Sequence, residues 1–395
     1  MAWIHARTDS ETESAPASWP AGEGGLRLNN GLFLTPKGAL RGSLSARGGL
    51  IESLESLPLA GGEDLEGDMV IPGLVELHTD NLEKHIMPRP GIYWTDPLAA
   101  LEAHDAQLAS SGITTVFDSV CVGEPIDKGR RLMLSLSLAA LAEGRGNLRA
   151  DHLLHLRCEV SAPDMEELLD EALRAASPDL VSVMDHTPGQ RQWRTPKDWL
   201  VYHQEKMVPE ELMATAARLK EARDACAARN TRRIVSLASE RGITLASHDD
   251  TDLGHIEEAV SWGARISEFP TTLEAARGAR DAGLMTVMGT PNLVRGGSHS
   301  GNVKVSEVAR ERCLSCLSSD YVPSSLLHGA WKLFREHGYG FGEAVDTVTR
   351  NPAEAAGLRD RGEISPGKRA DLVRVRETGG RPRVIAVWVK GERVF

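Results

Sequence analysis

Residues able to grip a cation recur where short apolar runs of this chain end. After MVIPGLVEL come His78, Thr79 and Asp80, and because side chains alternate along a strand, His78 and Asp80 point to one side. Alone, such a His-x-Asp is more often a hydrogen-bonded pair than two ligands. Other runs end alike: Glu159 closes LLHLRCE, Asp185 and His186 close LVSVM, His248, Asp249 and Asp250 close ITLAS, and Asp320 follows LSCLSS. Chance burial does not readily put a histidine or carboxylate at so many run ends. The expected metal ligands are therefore His78, Asp80, Glu159, His186, His248 and Asp320, a set of imidazoles and carboxylates suited to one or two divalent ions, Zn²⁺, Mn²⁺ or Fe²⁺. Such ions bring the pKa of a water toward neutrality, and a carboxylate beside it moves the proton. Asp320 is the expected catalytic carboxylate; its other reading is an N-cap for the helix that follows Pro323.

Three segments after run ends carry groups that recognise oxyanions. In TPNLVRGGSHSGN, the backbone of Gly296 and Gly297 can turn N–H groups toward an anion, and Arg295, His299, Ser300 and Asn302 add donors. TPGQRQWR supplies Gln190, Arg191 and Arg194, and NLEKH supplies Lys84 for phosphate charge. Each is also what a solvated turn looks like, so position after a strand is what favours substrate contact. His152 and His155 read as strand interior and His104 as a helix-surface or packing residue.

These side chains need a scaffold that gathers strand ends. Apolar runs at Met69–Leu77, Ile113–Asp118, Leu153–Val160, Leu180–Met184, Ile243–Ser247, Ala264–Glu268, Leu284–Gly289 and Cys316–Ser319 alternate with amphipathic helical stretches. Eight such βα units predict an α/β fold, a closed TIM-like (β/α)₈ barrel over residues 71–364 with reactive groups at the C-terminal strand ends. No GxGxxG follows the first strand to support a doubly wound nucleotide-binding sheet. LRLNNGLFL and GGLIESL near one end, and ISPGKRADLVRVRE and PRVIAVWVKGERVF at the other, read as strand–turn–strand. Residues 25–70 and 365–395 are expected to pair into one small β module. Residues 1–24, rich in Ser, Glu, Pro and Gly, are expected to form a flexible tail.

The whole-chain numbers limit partners. With 395 residues and 41% hydrophobic content, barrel and module can both have a core. A net charge of −11 disfavours nucleic-acid backbones, so an anionic substrate must be met by local cations. No apolar stretch approaches the roughly 20 residues of a membrane helix, and no secretory apolar region is evident. Five scattered cysteines argue for a reducing compartment, so a cytoplasmic location is expected; a homo-oligomer is compatible with all of this.

PGLVELHTDNLEKH, MDHTPGQRQW, ASHDD, TPNLVRGGSHSGN and SSDYVPSSLL together resemble a family of ribosyl-triphosphate diphosphatases of phosphonate catabolism, within the amidohydrolase superfamily. The likeness runs from about Ile71 to the C-terminus, where NPAEAAGL and GEISPGKRADLV match the superfamily's closing pattern. It implies metal-dependent hydrolysis of a small phosphorylated substrate between its α and β phosphates, with release of pyrophosphate and a 5-phosphoribosyl 1-methylphosphonate. Carried over, the superfamily's first-strand His-x-His falls on His78 and Asp80, an aspartate replacing the second histidine. Its later ligand histidines fall on His186 and His248 and its last-strand aspartate on Asp320. A bridging carboxylated lysine has no obvious counterpart, and Glu159 takes that place. Two rivals stand beside this reading. A cyclic-amide or N-acyl amidohydrolase would need one carboxylate-recognising arginine rather than many phosphate donors. A catalytically silent amidohydrolase-like scaffold would be expected to lose metal ligands.

Overall fold

Runs rich in valine, isoleucine and leucine form eight parallel strands: β1 (Leu74–Thr79), β2 (Ile113–Val122), β3 (Asp151–Glu159), β4 (Leu180–Met184), β5 (Thr244–His248), β6 (Ile266–Glu268), β7 (Met285–Gly289) and β8 (Cys316–Ser318). They are seen in a computed structural model that describes residues 25–124, 129–203, 208–298 and 301–395. The expected tail, residues 1–24, lies outside the described residues.

The strands pair in chain order from β1 to β8. The register is long where the strands are long, Thr115 to Val122 of β2 facing Asp151 to Cys158 of β3. Closure between β8 and β1 is made by a wedge: Leu317 N donates to Thr347 O and Val75 N to Val348 O, both at 2.9 Å. Near the C-terminal ends, Ser318 Oγ donates to His78 O and Thr79 Oγ1 to Asp320 O, each at 2.6 Å. The barrel is thus sealed where the ligand-type residues stand.

Helices cover the barrel with one apolar face each. Met165–Ala175 buries Leu168, Leu169 and Ala172, and Leu273–Asp281 buries Ala275, Ala276 and Ala279. Asp252 and Thr272 cap their helices by accepting from His255 N and Ala275 N at 3.0 Å, which satisfies donors the helix itself cannot. The helix Pro209–Arg241 spans 33 residues and stops at Gly242, whose φ of 64° is the left-handed cap that glycine adopts freely. Among the described residues, no helix is long and apolar enough to cross a membrane.

The two chain ends share a second sheet. Strands Leu26–Thr35, Gly38–Arg47, Leu50–Glu55 and Met69–Pro72 join Leu372–Thr378, Arg381–Val389 and Glu392–Arg393, with Pro72 opposite Leu372. Its core holds Leu28, Phe33, Leu44, Ile51 and Trp388, all buried. The run Met69–Leu77, read from sequence as one strand, is two: Met69–Pro72 belongs to this sheet and β1 begins at Leu74. Gly73 is the joint. Its N–H donates to Asp371 O at 2.8 Å, and a Cβ there would stand 2.1 Å from Thr114 Oγ1.

Candidate metal centre

The inward faces of the barrel strands bring the ligand-type residues together. On β1, Glu76 and His78 share a face. Glu76 is fully buried and accepts from His78 N at 2.8 Å and from Ser319 N at 2.5 Å, which ties β1 to the segment after β8. Burial pushes its carboxyl up to about 7. The His78 Nδ1 lies 2.7 Å from one oxygen of Glu268, and His248 Nδ1 lies 2.8 Å from the other. Glu268, the last residue of β6, therefore spans two imidazoles whose rings stack with centroids 5.6 Å apart. Burial holds His78 well below the usual range and His248 down at about 3, so both rings are neutral, the form that ligates metal.

Beside them, His186 Nδ1 meets Glu159 Oε2 at 2.8 Å. Asp249, at φ 56°, places one carboxylate oxygen 3.6 Å from His186 Nε2 and 3.5 Å from His248 Nε2. Burial would lower the His186 value, but Asp249 and Glu159 outweigh it and hold that ring well above the usual range. Ligand atoms of His186, His248 and Asp249 all fall within 4.8 Å of one another, the separation a single cation can bridge. His155 forms the floor, with Nδ1 3.0 Å from Ser119 Oγ and Nε2 3.0 Å from Ser182 Oγ.

The last two expected ligands stand near one another. Asp80 follows β1, and its Oδ1 is buried without a hydrogen-bond partner. Asp320 follows β8 at φ 53°; burial and the neighbouring Asp80 raise its carboxyl to about 7. The helix after Pro323 runs over Ser325–Glu336 with Ser324 at its N-cap position, so Asp320 does not cap it. A cleft of about 830 Å³, open mouth included, is lined by His78, His186, His248, Asp249, Asp320 and Arg157.

The expected anion-binding residues divide. Arg295, Gly297 and Asn302 line the same cleft. The Gly296 and Gly297 N–H groups, however, both donate to Asn292 O at 3.0 Å and close the helix Thr290–Arg295. The expected backbone anion nest at Gly297 is therefore a helix cap. His299 and Ser300 lie outside the described residues. Arg191 is buried with Nη1 2.6 Å from Asp250 and 3.0 Å from His248 O. Gln190 accepts from Arg223 at 3.1 Å, and both residues face a second cleft beside the helix Pro209–Arg241. The reason is Asp250, a fully buried carboxylate that requires a cation and takes the nearest one. Lys84 donates to Tyr321 O and lies 4.7 Å from the centre of that ring, tying the helix Asn81–Ile86 to the loop after β8.

Asp249 is recognisable from sequence at a run end but was not among the expected ligands, and Glu268, Glu76 and Arg157 were not singled out for the site. Glu268 closes a run already recognised as a strand, and Arg157 stands two residues before Glu159 on the same face. The rule that found the others reaches Glu268, whereas an arginine within a strand falls outside it.

Comparison with known proteins gives three findings. A model of the amidohydrolase family matches residues 300–395. Alpha-D-ribose 1-methylphosphonate 5-triphosphate diphosphatase of Escherichia coli (strain K12) is 42% identical over 386 residues, covering 93% of this chain and 100% of that protein. Among solved structures, 5-methylcytosine deaminase from Klebsiella pneumoniae aligns with a TM-score of 0.63 at 17% identity, over 94% of this chain and 98% of that one. N-acetylglucosamine-6-phosphate deacetylase from Pasteurella multocida aligns at 0.62 and 15%, over 93% and 99%. The structural likenesses speak to the barrel alone.

Proposed function

Because the chain belongs to the amidohydrolase family, and within it to the alpha-D-ribose 1-methylphosphonate 5-triphosphate diphosphatases, we propose that it hydrolyses that triphosphate between the α and β phosphates. The products are 5-phospho-alpha-D-ribose 1-methylphosphonate and pyrophosphate. The observation that carries this reading is one cleft in which a histidine–carboxylate donor set faces the Asp320 carboxyl and the guanidinium of Arg295. An amide substrate with one carboxylate would use the donor set and the arginine as well, so the likeness to the diphosphatase is what favours the triphosphate.

The donors fit one or two divalent ions, Zn²⁺, Mn²⁺ or Fe²⁺: His186, His248 and Asp249 with Glu159 behind them, and His78 with the unpartnered Asp80 oxygen beside them. When bound, such an ion polarises a phosphoryl oxygen and makes water more acidic. Asp320, which lines the cleft beside the donor set, takes the proton of the attacking water. The new bond joins the water oxygen to the α phosphorus, and the bond to the bridging oxygen breaks so that pyrophosphate leaves. Arg295 and Asn302, on the wall built after β7, hold the departing phosphates.

The test is incubation with the triphosphate and added Zn²⁺ or Mn²⁺ in ¹⁸O-water, followed by phosphorus NMR. Pyrophosphate with the label in the 5-phosphoryl product is expected. Label in pyrophosphate would mean attack at the β phosphorus, and turnover of cyclic amides alone would replace the proposal with the C–N hydrolase reading.

A further inference from the structure

Buried arginines in this protein have carboxylate partners at close range. Arg191 meets Asp250, Arg361 and Arg369 meet Asp151, and Arg374 meets Asp68, each at 2.6 Å. Arg157, half-buried, differs from them. Among the described residues no carboxylate lies within 4.0 Å of its guanidinium, and its buried Nε has no hydrogen-bond partner.

Its position makes that departure informative. Alternation along β3 puts His155, Arg157 and Glu159 on one inward face, so Arg157 enters the cleft between the histidine floor and the donor set. A half-buried guanidinium that lines the cleft with no carboxylate in reach is available to an anion that enters there. The opposite wall already carries Arg295 and Asn302, so the two walls present guanidinium groups to different parts of one bound chain of phosphates.

We propose that Arg157 binds a non-bridging oxygen of the phosphoryl group under attack, and so selects a phosphate ester over a neutral acyl substrate in this cleft. The inference rests on the diphosphatase reading for the identity of the ester, but the anion contact stands on the geometry. The guanidinium fork matches two phosphoryl oxygens and gains most where charge builds during attack.

The test compares the full chain with Arg157→Met and Arg157→Lys, each saturated with Mn²⁺. For Arg157→Met, kcat/KM on the triphosphate should fall on the order of 10²- to 10³-fold. The dissociation constant for ribose 5-phosphate, whose phosphoryl group stands for the one under attack, read by calorimetry, should rise at least about tenfold. Metal content should be unchanged, and Tm unchanged or higher because no ion pair is lost. Arg157→Lys should recover part of the ribose 5-phosphate affinity. Ribose 5-phosphate affinity within about threefold of the parent in Arg157→Met overturns the proposal, as does loss of metal together with a lower Tm. If the parent protein does not hydrolyse the triphosphate, the diphosphatase reading falls. Affinity for this phosphate monoester then still decides Arg157: weakening in Arg157→Met supports the anion contact, and no change removes it.

Discussion

A carboxylate that holds an imidazole by its Nδ1 decides which nitrogen the ring offers to a cation. Glu268 does this for His248 at 2.8 Å, while its other oxygen lies 2.7 Å from His78 Nδ1, both atoms buried and without a hydrogen bond. Glu268→Gln keeps the shape but removes the charge that orients His248 and faces His78. Divalent-ion affinity, measured by competition with a chromogenic chelator, should fall roughly 10- to 100-fold, and parental affinity would reduce Glu268 to a packing residue. Asp320→Asn asks a different question, since asparagine keeps volume and hydrogen bonding but takes no proton. Most bound metal should remain while kcat falls on the order of 10²-fold or more. Surviving turnover would move the proton acceptor elsewhere, with the neighbouring Asp80 as the first alternative.

At the scale of elements, a chain of buried polar groups pins the helix Pro97–Ser110 to β2 and β3. His104 Nε2 meets Asp118 at 3.0 Å, and His152 Nδ1 meets its other oxygen at 2.7 Å. His152 Nε2 reaches Asp105 at 3.3 Å, and Asn81, just after β1, meets His104 Nδ1 at 3.0 Å. Burial would lower His152, but Asp118 and Asp105 outweigh it and raise the ring to about 9 from an ordinary 6.5. The folded value exceeds the unfolded one, so this stabilisation is fully present below pH 6.5 and is lost as pH rises through about 9. Denaturation midpoints should therefore separate parent from His152→Gln by a few kcal/mol at pH 6. The gap should close by pH 10, and a pH-independent gap would mean the ring acts by packing alone. This cluster also shows what sequence conveys. Strands were legible because apolar residues repeat at spacings only a buried strand explains, and residues at their ends followed from that. His104, read as a surface or packing residue, is fully buried, because its partners Asp118 and Asn81 come from other elements. Arg191 and Gly297 misled for a related reason: a loop's composition advertises donors, and the acceptors that claim them, Asp250 and Asn292 O, are set by folding.

Across the whole molecule, the second sheet and the barrel are joined at the N-terminal end of β3. Asp151, first residue of that strand, receives Arg361 Nη1 and Arg369 Nη1 at 2.6 Å each, and Arg369 also reaches Asp371 at 3.0 Å, two residues past it toward the strand Leu372–Thr378. Gly73 performs the same junction covalently, leaving no room for a side chain between Thr114 and the return strand. Burial would raise the Asp151 carboxyl, but the two arginines outweigh it and bring it to about 2 from 3.8. The folded value lies below the unfolded one, so the contribution is complete above pH 3.8 and fades as pH falls through about 2. Asp151→Asn leaves two nearly buried guanidinium groups with one charged partner fewer, and should lower stability by about 2 kcal/mol at neutral pH. Because Asp151 stands at the end of β3 opposite Glu159, metal content and kcat/KM at 25 °C should match the parent. If the two sheets unfold as one unit, far-ultraviolet circular dichroism and tryptophan fluorescence should report a single, earlier denaturation midpoint. Two separated transitions in Asp151→Asn would instead show that the arginine pair couples two bodies able to unfold independently, and an unchanged midpoint would show that Asp360 and Asp371 alone satisfy both arginines.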